Sequence, residues 1–282
     1  MATLFQSNTK VEGTELIALL TSINNKEKTW EDVDQEVVLD AMILHIGSPN
    51  SDLREMVYRL FYMSIIHDQL EAQTIRKLLD YSVKHLLFKG IGESGTDSVF
   101  TRAFTTIVIA VIISKDNDMD FLPKDTLTEV KNEIKKYIEL ERDVRGYVPV
   151  KGWAHSIAHV ADTCEELIKS EKIAEVEYFP IIEVLLKKYC TTPTGFLHGE
   201  DDRVVIAVLA MIKKEVGLEE LKLFVEGIPG LLKSQKEELS SEKYWYVMAN
   251  CSSLLKSLYF GVSDDPLCDS LQETIRKSLS KM

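Results

Sequence analysis

Residues 97–113, DSVFTRAFTTIVIAVII, open on Asp97 and Ser98 and then enter the strongest apolar run of the chain, Phe104 to Ile113. Ten residues are too few to cross a bilayer as a helix, which takes about twenty. Three other segments have the same layout: DLREMVYRLFYMSII (52–66), KGWAHSIAHVADTCEELI (151–168) and GEDDRVVIAVLAMIKKEV (199–216). Each begins with polar or small residues, continues as an apolar helix, and precedes a second amphipathic helix. Aligning the openings superposes Arg54, Arg102, His155 and Arg203, at spacings of 48, 53 and 48 residues. Stacked two-helix units produce a period of this size.

Outward from these segments, apolar residues recur at helical spacing almost from end to end, and the interruptions are short, polar or glycine-containing. The pattern predicts helices over 13–23, 31–46, 52–66, 71–88, 98–114, 124–141, 153–169, 174–189, 201–216, 218–234, 241–259 and 265–280. Ser51 or Asp52, Asp97 or Ser98, and Ser240 or Ser241 are the expected N-caps, because their oxygens can accept from free first-turn amides. The expected fold is all-α: a superhelix of the HEAT/ARM-like solenoid kind, with about six stacked helix pairs forming one domain over 1–282 and residues 1–30 as its N-terminal cap. Each pair would cover only part of its apolar surface alone, and stacking would complete the burial.

Composition narrows the function classes. With 45 acidic against 33 basic side chains and a formal charge of −12, the summed field repels polyanions, which argues against a nucleic-acid partner. Cys164, Cys190, Cys251 and Cys268 form no close metal spacing and read as buried thiols of a reducing compartment. No export signal is expected at the N-terminus, where Glu12, Gly13 and Glu15 interrupt any apolar run. These features point to a cytoplasmic protein without a membrane segment. Phosphate-loop, dinucleotide-binding and nucleophile-elbow patterns are missing from the sequence.

The polar residues that remain to be explained cluster in 141–168. On a helix starting near Trp153, His155, His159 and Asp162 project within about 60° of one another. Ala154, Ile157, Ala158, Ala161, Cys164 and Ile168 make the opposite, apolar side. The strip has three readings: a divalent metal held by His155, His159 and Asp162, with positions left for water or substrate; a ligand contact without metal; or hydrogen bonding between adjacent helix pairs. Arg54, Arg102 and Arg203 either point into a groove to bind a carboxylate or phosphate, or bridge to acids of a neighbouring pair. Trp153 is a packing residue or a ligand platform. Glu200, in FLHGEDDR (196–203), lies where a neighbouring pair reaches the strip, or serves the helix start. His45, His67 and His85 are isolated and carry no assignment.

The chain resembles a bacterial family catalogued as domain of unknown function 2785. The resemblance rests on DSVFTRAF (97–104), ERDVRGYVPVKGWAHSIAHVAD (141–162) and GEDDR (199–203), and extends over most of residues 30–260. It implies a helical, repeat-like protein and brings no catalytic assignment. The expected function is therefore binding of an unidentified protein or small molecule in a polar groove around Arg54, Arg102, Trp153, His155, His159, Asp162, Glu200 and Arg203. The alternative is a metal-dependent hydrolase or other small-molecule enzyme using the same strip.

Overall fold

A computed structural model describes residues 13–282. Among these residues the regular secondary structure is helical apart from one antiparallel pair of two-residue strands. The helices are α1 (Gly13–Asn24), α2 (Gln35–His45), α3 (Ser51–Ile66), α4 (Ala72–Tyr81), α5 (Ser98–Met119) and α6 (Lys124–Leu140). They continue with α7 (Ser156–Lys169), α8 (Tyr178–Thr191), α9 (Glu200–Lys213), α10 (Leu218–Glu238), α11 (Ser241–Gly261) and α12 (Asp269–Ser280). The first 12 positions of the expected cap over 1–30 lie outside the described residues; the rest holds α1 and the start of a short 3-10 turn, Trp30–Asp32.

Alternate helices pack side by side in chain order. Each odd-numbered helix from α1 to α11 packs on the next odd one, and α6, α8, α10 and α12 make a second such row. A continuous apolar core runs from Leu16 to Ile275. Its centre is α5, which lies between α3 and α7 and is buried on nearly all sides, so its sequence lacks a polar face. By length and composition α5 is apolar enough to cross a membrane, yet 83% of its most apolar window is buried within the protein. Thr105 and Thr106 satisfy their hydroxyls on the carbonyls of Thr101 and Ala103, at 2.6 and 2.7 Å. Thr163 of α7 donates to the Thr106 carbonyl at 2.8 Å and ties the two helices together. Gly47, after α2, is needed because a Cβ there would stand 2.6 Å from the backbone of Thr101.

Several local expectations are corrected. The N-cap of α3 is Asn50, whose side chain accepts from the Leu53 amide at 3.1 Å, and Ser51 is already helical. Asp97 is the N-cap residue of α5, as expected, but its side chain makes no bond to the first-turn amides; its carboxylate takes the Lys151 ammonium at 2.6 and 2.8 Å. Ser240 is likewise the N-cap residue of α11, also without a side-chain bond to the helix. The helix expected over 71–88 changes to π geometry at Ser82–Leu86. The helix expected from 153 begins at Ser156, for a reason that lies in the candidate site.

Candidate functional site

Gly152 and Trp153 are drawn out of the expected helix by pairing. β1 (Tyr147–Val148) and β2 (Gly152–Trp153) form an antiparallel pair, with Tyr147 opposite Trp153. The amides of Ala154 and His155 then donate to the carbonyls of Gly146 and Arg145, at 2.8 and 3.1 Å. His155 takes the left-handed conformation, φ 51° and ψ 39°, as the residue before α7. Histidine enters this region more readily than most residues. The ring of His155 is thereby turned back over Trp153, stacked at 4.3 Å between centroids.

A buried arginine holds this turn. Arg54, fully buried, donates to the carbonyls of Lys151 (2.6 Å) and Trp153 (3.0 Å) and to that of Ser48. Its guanidinium lies over Phe100 and Phe104, 4.2 and 4.9 Å from the ring centres. Arg102 is equally buried and grips Glu141 through two bonds of 2.6 and 2.8 Å. Neither borders the cleft described below. Arg54 bonds backbone carbonyls and no acid, and Arg102 pairs with the residue that ends α6. Arg203 does bridge neighbouring pairs, from α9 to Asp162 of α7 at 2.7 Å. Asp201 does not pair with an arginine, because its Oδ2 accepts from Ser253 and Ser257 of α11, both at 2.6 Å.

A cleft of about 280 Å³ opens where α3, α5, α7 and α9 meet, lined by Glu55, Tyr58, Phe104, Ile107, Trp153, His155, His159 and Arg203. Glu55, Tyr58, Phe104 and Ile107 were not among the residues singled out in the sequence. Phe104 and Ile107 sit in the apolar run that reads as core, and only the side-by-side packing of α3 and α5 exposes their edge. Asp162 reaches the cleft through its bond to Arg203. Behind His155 lies Glu200, 2% exposed, with Oε1 3.7 Å from His155 Nε2 and 3.8 Å from His198 Nδ1. Its Oε2 accepts from the His198 amide at 2.8 Å.

The expected metal set does not converge. His159 Nδ1 faces the Ala103 carbonyl at 3.3 Å, and Asp162 is engaged by Arg203. Among the described residues, no three His, Cys, Asp or Glu side chains already stand around one point at coordination spacing.

The family model described as protein of unknown function (DUF2785) matches residues 87–260, more than half of the chain. The chain belongs to this family. No curated protein and no solved structure matches it. The DUF2785 segment supplies α5, α7, α9 and the turn that carries Trp153 and His155, whereas Glu55 and Tyr58 come from α3, before the match begins.

Burial sets the protonation of this DUF2785 cleft. The His155 ring is held below its ordinary pKa by burial, against the upward pull of Glu200. Burial, aided by His155, pushes His159 down to about 3. With its Nδ1 proton directed at Ala103, a neutral His159 keeps Nε2 as an acceptor. Asp162 is raised to about 6 by burial in spite of Arg203, and Tyr58 to about 12, again mainly by burial.

A pH dependence follows for His159. Its folded pKa, about 3, lies below the value of 6.5 for an unperturbed imidazole, so between these limits the unfolded chain binds the extra proton. The stability it supports is complete above about pH 6.5 and is lost as pH falls, by up to roughly 1.4 kcal/mol per pH unit. Asp162 has the opposite slope below about pH 6, because its folded carboxyl holds the proton more tightly. Urea denaturation of wild type and His159→Gln from pH 7 to 5 separates the two. The gap between the curves is expected to shift by about 2 kcal/mol in favour of the variant at pH 5; parallel curves would refute the assignment.

Proposed function

We propose that this DUF2785 protein is a HEAT-like α-solenoid of about six helix pairs that acts by binding a small, planar, hydrogen-bonding molecule in the cleft at Trp153. The in-order packing of alternate helices supports the solenoid. One observation carries the binding role: a half-exposed indole, a deeply set neutral imidazole and a guanidinium meet in one concave space. A few polar groups converging in an aromatic-walled cleft are what small-ligand sites have in common. Trp153 and Tyr58 offer flat apolar surface, His159 Nε2 an acceptor, and Arg203 donors beyond the one it gives Asp162. The acidic composition and four unpaired, buried cysteines fit a cytoplasmic setting. A metal-dependent hydrolase built on His155, His159 and Asp162 is not favoured, since two of the three groups are engaged elsewhere.

Fluorescence titration tests the reading with indole-3-acetate, benzoate and adenosine as probes. At least one should change the emission saturably, with no response in Trp153→Phe and roughly tenfold weaker binding in Arg203→Ala, about 1.4 kcal/mol. A response that survives both substitutions, or no saturable response to any probe, would refute the cleft as a binding site.

A further inference from the structure

Glu200 presents an electrostatic problem that the cleft does not solve. It is a buried carboxylate, and among the described residues no lysine or arginine lies within ion-pair range of it. The first turn of α9 offsets part of the cost of its charge, and one backbone amide serves Oε2. Oε1 has no hydrogen-bond donor and instead faces two imidazole nitrogens, His155 Nε2 and His198 Nδ1, at 3.7 and 3.8 Å. His155 Nε2 is itself shielded from solvent and has no hydrogen-bond partner. A buried imidazole nitrogen left without a partner is costly.

Gly146 packs directly against two of these groups. A Cβ on Gly146 would lie 2.3 Å from His198 Nδ1 and 2.6 Å from Glu200 Oε1, so no other residue fits there without displacing both. The backbone reinforces the arrangement, because Gly146 O accepts from the amide of Ala154, next to His155. Trp153 covers the group, stacked on His155 and edge-on to His198 at 5.4 Å.

We propose that His155, His198 and Glu200 form a binding site for a divalent transition metal ion of the zinc type. Two ligands about 2.1 Å from a tetrahedral ion stand roughly 3.4 Å apart, so the 3.7 and 3.8 Å separations are a few tenths too wide. The two rings are 6.2 Å apart between centroids and draw in toward Glu200 when the ion enters. Two imidazoles and a carboxylate suit zinc, and three protein ligands leave a position for water or another ligand. The ion would supply the positive charge that Glu200 lacks and a partner for His155 Nε2. This site is independent of the small-molecule reading of the cleft, with which it shares only His155 and its Trp153 cover.

The test is calorimetric titration of Zn²⁺ into full-length protein stripped with chelator. The expected result is one ion per chain, with affinity weakened roughly tenfold or more by His155→Ala, His198→Ala or Glu200→Gln, and unchanged by His159→Gln or Asp162→Asn. Because His198 is one-third exposed, His198→Ala folds and keeps the test decisive if a buried variant does not. Co²⁺ bound to wild type should give the visible bands of a tetrahedral nitrogen and oxygen site without a thiolate charge-transfer band. No stoichiometric binding, binding that persists in folded His198→Ala, or a thiolate band would overturn the proposal.

Discussion

Arg102→Met should destabilise the protein by about 3–5 kcal/mol, because it strands the buried carboxylate of Glu141. Both side chains are fully excluded from solvent. Glu141 would retain only the amides of Arg142 and Asp143, both at 2.9 Å, against a full negative charge. The carbonyls of Lys89 and Gly90, each 2.9 Å from Arg102 Nη1, would lose their donor as well. Replacing both partners, as Arg102→Met with Glu141→Met, should cost clearly less than the sum of the two single changes, since no isolated charge is left. Urea denaturation of the four proteins at neutral pH measures the coupling. Strict additivity would mean that the pair is not coupled as its geometry requires.

Arg54→Met is the second large effect, expected at roughly 3–5 kcal/mol, from buried carbonyls left unpaired at about 1–3 kcal/mol each. The carbonyls of Ser48, Lys151 and Trp153 belong to two loops that this guanidinium ties together. Methionine keeps much of the packing on Phe100 and Phe104 but donates nothing. The consequence should therefore concentrate in the 147–153 turn. Hydrogen exchange should rise at the amides of Ala154 and His155, which hold the base of that turn, before it rises in α5. Uniform acceleration across α5 and α7 would show instead that Arg54 supports the core as a whole. Because Trp153 and His155 ride on this turn, the variant should also weaken any ligand or ion bound there.

The helices were legible in the sequence because their signal is local. Apolar spacing predicts twelve helical stretches, and twelve α-helices are present among the described residues. The errors have local causes too. Asn50 outcompeted Ser51 and Asp52 as a cap, and Gly152 with Trp153 joined a strand pair whose other half, Tyr147–Val148, carries no extended alternating pattern. The family was recognisable from DSVFTRAF, KGWAHSIAHVAD and GEDDR, segments that fall within the matched residues.

The site was legible only in outline. Trp153, His155, His159 and Arg203 share a cleft, and Glu200 stands behind it, as the adjacency of the unit openings suggested. Their roles could not be read from helical spacing. His155 lies outside the helix in a left-handed conformation, so its ring stacks on Trp153 and faces Glu200 while still lying edge-on to His159, 6.0 Å between centroids.

What the sequence determined by itself was the helical content, the repeated opening of the units, and the stock of polar side chains placed at those openings. These depend on neighbours within a few residues, where periodicity and capping operate. What tertiary structure decided was the fate of each charge. Arg54 meets carbonyls 97 and 99 residues away, Arg102 an acid 39 away, and Arg203 an acid 41 away. Three arginines that look equivalent in the alignment of the units thus become a clamp on a turn, a buried ion pair and a half-exposed wall of a cleft. The reason is that an ion's stability depends on solvent exclusion and on the groups within a few ångströms of it, and distant segments supply both only after the helices have packed.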